Sequence, residues 1–251
     1  MSRERITSRK NPLIQHLRRL LTDRSAREAS GEYIADGTKL LGEALRWTPD
    51  SLLTVVATPS TELGRLPPGV RLAEVPEDLM AWLSPMKSPQ GALFTCRLPR
   101  QAPLALRPGT LILDGLQDPG NVGTILRTAD AWDCPVVLTP GCADPYGPKT
   151  VRASMGAVFR TPPQQADHRT VAEACRAQGI PLVATALTDT AEPIDRVDLS
   201  GAAVVIGSEG RGVGAFFCDR ADKSVVIPMN PRCESLNAAV AATVVLWQMS
   251  R

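Results

Sequence analysis

Short apolar runs alternate with segments of helical periodicity along almost the whole chain, and this alternation limits the fold more than any other feature. The run "TLILDGL" is apolar nearly without a break, as a strand covered on both faces must be. The next segment, "DPGNVGTILRTADAW", places Val122, Ile125, Leu126, Ala129 and Trp132 on one stripe at helical period. Strand "PVVLT", helix "RTVAEACRAQG", strands "PLVATAL", "AAVVIG" and "SVVIP", and a last helix from about Ser235 continue the alternation. Strands spaced by helices predict an α/β protein with a parallel sheet. "GCADPYGPKTVRASMGAVF" is the one long stretch in this half without a clear period.

The first hundred residues alternate in the same way. Asn11 and Pro12 open a helix carrying Leu13, Ile14, Leu17, Leu20 and Leu21, and Gly31 is placed to stop it. "EYIAD", "SLLTVVATP", "VRLAEV" and "GALFTCRL" read as strands, with "GTKLLGEALRW" and "PEDLMAWLS" as helices between them. Pro99, Pro103 and Pro108 crowd the following stretch, which few regular elements tolerate. The expected organisation is a small α/β domain over 1–97, a proline-rich linker over 98–108 and a larger α/β domain over 109–251.

Composition excludes several classes. No apolar run approaches the ~18 residues needed to span a membrane; the longest, "AAVAATVVLW", has ten. The basic N-terminus "MSRERITSRK" has no apolar core of a secretory signal, so the expected compartment is the cytoplasm. Six cysteines without a CxxC pair, and only His16 and His168, offer no metal centre. The cysteines are expected as free thiols. The net charge is +2, yet residues 1–30 hold eight Lys/Arg against three acids. Such a basic end suits phosphate contact, and Arg9, Lys10, Arg18 and Arg19 on or beside the first helix are the candidate residues for it. A solvated helix face accounts for the same charges.

Three loops follow buried strands: residues 118–132, "VVIGSEGRGVG" (204–214) and "VVIPMNPRCESLNAAVAATVVLWQ" (225–248). Ligands in open parallel sheets bind beyond the carboxyl ends of strands, so the three loops predict one shared pocket. None carries GxGxxG, GxxxxGK[ST] or GxSxG in a suitable context, which disfavours nicotinamide, P-loop and serine-hydrolase chemistry. Taken singly, Asn121 reads as a helix cap, Glu209 as a loop charge, and Ser235 as the cap of the last helix with Asn237 in its first turn. Arg127 points away from the stripe that packs its helix, as a solvated or a functional charge would.

Together these loops closely resemble the three motifs of the SpoU/TrmH family of RNA 2′-O-ribose methyltransferases, within the SPOUT superfamily. The segment "ITSRKNPLIQHLRRLLTDRSAREASGEYIADGTKLLGEAL" likewise resembles the small substrate-binding domain that precedes the catalytic domain in many members. The resemblance implies S-adenosylmethionine as the methyl donor, bent against the second and third loops. Gly207, Ile227 and Leu236 match its contacts, with Thr185, Ala186 and Leu187 as neighbours on an adjacent strand. Glycine at 207 is then expected to let backbone approach the ligand. Asn121, Arg127, Glu209, Ser235 and Asn237 match the polar residues around the transferred methyl. The resemblance also implies a C-terminal deep trefoil knot, a homodimer with its active site near the interface, and no metal. RNA is the implied partner, ribosomal favoured over transfer RNA. The alternative function is a non-catalytic RNA-binding assembly factor on the same fold.

Overall fold

The computed structural model describes residues 4–100, 102–188, 190–208, 210–233 and 235–251. The chain divides into two compact units, the first formed by residues 1–100 and 146–160, the second by 101–145 and 161–251. The first unit begins with strand β1 (Glu4–Arg5), helices α1 (Pro12–Thr22) and α2 (Arg24–Ser30), and β2 (Glu32–Asp36). Then come α3 (Thr38–Trp47), β3 (Leu52–Ala57), β4 (Arg71–Glu74), α4 (Glu77–Leu83) and β5 (Ala92–Arg97). Its five strands are ordered β1-β4-β3-β5-β2. β5 runs antiparallel to both neighbours and the other pairs are parallel, so the sheet is mixed.

Local chemistry explains the helix ends. Asn11 Oδ1 accepts from the Leu13 N–H and caps α1, with Pro12 in the first turn. The apolar stripe expected from Leu13 to Leu21 does not run through to Gly31. Asp23 breaks it, its side chain accepting from Ser25 N–H to start α2, and Gly31 at φ +67° closes α2. Leu13, Ile14, Leu17 and Leu20 then pack with Leu79, Met80 and Leu83 of α4 on one sheet face, against Ile34, Val56 and Leu93.

The second unit opens with β6 (Leu111–Asp114), α5 (Pro119–Ala131) and β7 (Val136–Leu138). Helices α6 (Pro148–Ala153) and α7 (Ala157–Arg160) follow, and these belong to the first unit. Strand β8 (Gln164–Gln165), α8 (His168–Gln178), β9 (Leu182–Thr185), β10 (Glu192–Pro193) and β11 (Ala203–Gly207) return to the second. It ends with α9 (Ala215–Cys218), β12 (Lys223–Val226) and α10 (Ala238–Met249). All seven strands are parallel, in the order β10-β12-β9-β11-β6-β7-β8.

The stretch without a clear period is therefore two short helices that complete the first unit. The reason is apolar burial. Alternate residues of β2 and β5 point away from the face covered by α1, and Tyr33 and Phe94 need cover. Phe159 of α7 meets Phe94 and Tyr33 at ring-centroid distances of 6.2 Å each, and Tyr146 meets Tyr33 at 5.0 Å. An ion pair between Arg160 and Glu43 of α3 adds to this face. Residues 98–110 form no helix or strand among those described, yet Leu106 is buried in the core of the second unit, so the proline-rich stretch is anchored there.

No helix among the described residues is long and apolar enough to cross a membrane. All six cysteines are free. Burial pushes the Cys96 and Cys134 thiols up to about 12 and that of Cys175 up to about 11, while Cys233 is exposed. Thiolate is the reactive form. At about pH 8.5, where a free thiol is half ionised, iodoacetamide should label Cys233 first and reach Cys96, Cys134 and Cys175 only on unfolding. Mass mapping of labelled peptides reads this directly, and rapid labelling of Cys96 in the native protein would contradict the core described.

Candidate active site

In the second unit the carboxyl ends of β9, β11 and β12 lie side by side, because these strands are neighbours in one parallel sheet. The segments leaving them enclose a cavity of about 480 Å³. Thr185, Ala186 and Leu187 line it from the end of β9, Gly207 from β11, Ile227 after β12, and Leu236 just before α10. All six residues proposed for the cofactor thus face one space, together with Ser235, Met229 and Arg211. Its floor is apolar, built from Ile206, Val213, Val225, Ala238 and Ala241. Leu187 is 78% exposed at this cavity, an apolar side chain open to a ligand.

The glycine loop after β11 closes on itself. Ser208 and Gly212 pair as an antiparallel bridge, with N–H to O=C distances of 3.1 and 2.8 Å, and Gly212 takes φ +66°. A Cβ at residue 207 would lie 1.9 Å from the Gly212 carbonyl carbon and 2.1 Å from Val213 N. Glycine at 207 is therefore required by the loop's own backbone. This is a requirement of the fold, separate from any approach of a ligand to the same residue at the cavity wall.

The polar residues split into groups. Asn237 caps α10, its Oδ1 accepting from Ala239 N–H at 3.0 Å and Val240 N–H at 3.3 Å. Its Nδ2 donates to Asn121 Oδ1 at 3.1 Å, joining the starts of α10 and α5. The cap of α5 is Asp118, which accepts from Asn121 N–H at 2.8 Å, so Asn121 is a first-turn residue whose side chain faces Asn237. The readings of Asn121 and Ser235 as caps are both displaced by neighbouring Asx residues. Ser235 lines the cavity instead. Arg127 is exposed on α5, opposite the buried Val122, Ile125, Leu126 and Ala129, and is not among the described residues lining the cavity. Glu209 lies outside the described residues.

The basic residues proposed for RNA sit in the first unit. Arg9, Lys10, Arg18 and Arg19 are exposed. The Arg9 and Arg18 guanidinium carbons lie 5.1 and 5.0 Å from the centroid of the Trp82 ring. Such contacts hold arginine side chains without neutralising them. Arg27, by contrast, is buried and donates to the Leu20 carbonyl, so its charge serves the fold.

A methyl group at 207 has no room, so Gly207→Ala should open the 208–212 bridge and distort the cavity wall, while strands remote from it keep their order. Calorimetric titration of S-adenosylmethionine is expected to show at least ~10-fold weaker binding, the scale of lost backbone contacts. Unchanged affinity would show that the loop does not shape the cavity's ligand.

Comparison with known proteins shows the family. Residues 108–247 match the model of the SpoU rRNA methylase family, and residues 11–93 match an MRM3-like substrate-binding domain. The chain is 29% identical to the Bacillus subtilis 23S rRNA (guanosine(2553)-2′-O)-methyltransferase RlmP, over 98% of this chain and 99% of that one. It is 31% identical to a Streptomyces viridochromogenes 23S rRNA (uridine(2479)-2′-O)-methyltransferase, over 98% and 92%. The crystal structure of an AdoMet-bound rRNA methyltransferase from Sinorhizobium meliloti superposes with a TM-score of 0.86 at 28% identity, covering 98% of this chain and 97% of that one. With its catalytic signature spanning more than half its length and a substrate-binding module ahead of it, this chain belongs to the SpoU rRNA methylase family.

Proposed function

We propose that the chain transfers a methyl group from S-adenosylmethionine to a ribose 2′-hydroxyl of ribosomal RNA. The observation that carries this reading is the convergence of Thr185, Ala186, Leu187, Gly207, Ile227 and Leu236 on one cavity at the strand ends. Its volume falls in the range of about 300–1,000 Å³ typical of small-molecule sites. The apolar floor and the exposed Leu187 suit an adenosine and a thioether chain, so the residues fit the cofactor. Among the described lining residues Arg211 is the charged one, available to a carboxylate. A bound sulfonium supplies an activated methyl. The chain's own residues then have to align a weak nucleophile and accept its proton. Ser235 at the cavity wall and the Asn121–Asn237 pair would orient the ribose. Arg127 would hold the adjoining phosphate, its planar fork matching two phosphate oxygens. Glu209 completes the polar set on the strength of its motif position.

The same reading assigns residues 1–97 to RNA capture, with Arg9, Lys10, Arg18 and Arg19 on phosphates, and 109–251 to catalysis, joined through 98–108, with 146–160 within the latter span serving the first unit's fold. It also includes a trefoil knot, supported by the return of α10 onto α5 and β11 after the chain has left β12. A homodimer in the cytoplasm belongs to the reading as well. α10 carries no charged residue, yet Val240 and Trp247 are 51% and 54% exposed, and Trp132 lies edge-on to Trp247 at 6.2 Å. A helix apolar all round is normally covered, and a second copy would cover this one.

Methyl transfer is tested with tritiated S-adenosylmethionine and purified ribosomal or transfer RNA, followed by alkaline digestion. Label in alkali-resistant dinucleotides from ribosomal RNA is expected, since a 2′-O-methyl ribose blocks the adjacent cleavage. RNA binding without transfer would favour the assembly-factor alternative. Arg127→Ala and Arg127→Lys should melt near wild type and lose turnover by at least ~100-fold, the scale of lost positioning.

Deleting residues 1–100 would not test the division of labour, because α6 and α7 would lose the sheet they cover. Replacing Arg9, Lys10, Arg18 and Arg19 with alanine keeps both units whole. RNA affinity and its salt slope are expected to fall together while S-adenosylmethionine affinity holds. An unchanged slope would remove this helix from the RNA surface.

A further inference from the structure

Asp114 stands at the end of β6 with a carboxylate only 8% exposed. Three donors converge on it. Gly214 N–H donates to Oδ2 at 2.8 Å, Thr139 Oγ1 donates to Oδ1 at 3.0 Å, and His168 Nε2 lies 2.9 Å from Oδ1. The sheet register puts Asp114 opposite Gly207. The glycine loop thus departs beside Asp114 at residue 207 and is caught by its side chain on returning at 214. One carboxylate marks both ends of the segment that walls the cavity.

His168 is half-exposed, at 34%, and begins α8. Its ring touches Phe216 and Phe217, at centroid distances of 5.7 and 5.4 Å, in the helix that follows the loop. The histidine therefore binds the carboxylate and also braces the exit of the loop. None of these groups lines the cavity.

We infer that Asp114 is a positioning residue for the S-adenosylmethionine site, clasping the glycine loop shut from behind, and that His168 holds the clasp. This rests on the cavity being the cofactor site. The carboxylate is suited to the task because it accepts only, and its three described neighbours present donors. An asparagine would turn an NH₂ group toward at least one of them. Hydrogen bonds to a charged acceptor are the strong kind, so losing one should be felt across the loop. The cofactor would meet a wall that must first be ordered, and its affinity would fall by the ordering cost. Turnover at saturation would change little, since no clasp residue touches the reacting atoms.

The test uses the full-length chain and four proteins: wild type, Asp114→Asn, His168→Leu and His168→Gln. Hydrogen exchange at Gly212 and Gly214 is measured without cofactor, S-adenosylmethionine affinity by calorimetry, and KM and kcat on ribosomal RNA. Asp114→Asn is expected to speed exchange at both amides and raise the S-adenosylmethionine dissociation constant and KM about tenfold or more, with the RNA KM and saturated kcat held within about threefold. His168→Leu should move the same readouts in the same direction by a smaller factor. His168→Gln, which keeps a donor, should restore most of the loss. A folded Asp114→Asn protein with unchanged exchange and affinity overturns the proposal, as does an equal rise in both substrates' KM values. Should that variant fail to fold, the histidine pair decides, and wild-type values for His168→Leu overturn it. If wild type itself fails to bind S-adenosylmethionine, the cavity assignment falls and with it the clasp's role toward that cofactor.

Discussion

The parallel alignment of β6, β11 and β9 governs the second unit. Leu111, Ile112 and Leu113, and beside them Ala203, Val204 and Val205, have no exposed surface. Helices cover both faces, so a polar side chain within these strands would be buried without water. Polar chemistry is thereby pushed to the strand ends, and because the strands are parallel these ends lie together. Asp114 and Gly207 are where the apolar runs stop, and they are partners in register. The cavity follows from the same rule, since the backbone leaving each strand has to turn away from its neighbours and leaves a space between them.

Close backbone packing sets the composition of the loop that fills the end of β11. The chain reverses between Ser208 and Gly212 and brings the Gly212 carbonyl over residue 207. Only glycine at 207 permits the approach, and the φ of Gly212 suits glycine as well. A run of glycines before a ligand site invites the reading that they admit the ligand. Here one of them admits the protein's own chain, and the ligand meets the surface that results.

Much of the second unit was legible in the sequence because its strands are short apolar runs and its loops carry unusual residues at their ends. Reading strands predicts a pocket shared by the loops at 118–132, 204–214 and 225–248; the last two line the cavity, the first does not, and the positions at 185–187 come from the family resemblance. What escaped was of three kinds. The helices α6 and α7, of six and four residues, have too few turns to show a period. They are held by Phe159 and Tyr146 against a distant sheet, which no local pattern announces. Caps were misassigned where two candidates stood close together. Asp118 precedes Pro119 just as Asn11 precedes Pro12, and a proline in the first turn was the signal that could have chosen it. The bond from His168 to Asp114 spans 54 residues and follows from topology alone.

The membership of residues 146–160 in the first unit means that the chain passes between units three times. A module joined by one crossing can be exchanged between proteins by a single recombination. This one cannot, because its second sheet face is covered by a segment encoded beyond β6, α5 and β7. The same order holds during synthesis. The first sheet emerges early and keeps Tyr33 and Phe94 uncovered until Phe159 has been made, by which time a third of the second unit has already been synthesised. The two units are compact bodies in space, but in heredity and in biogenesis they are a single object.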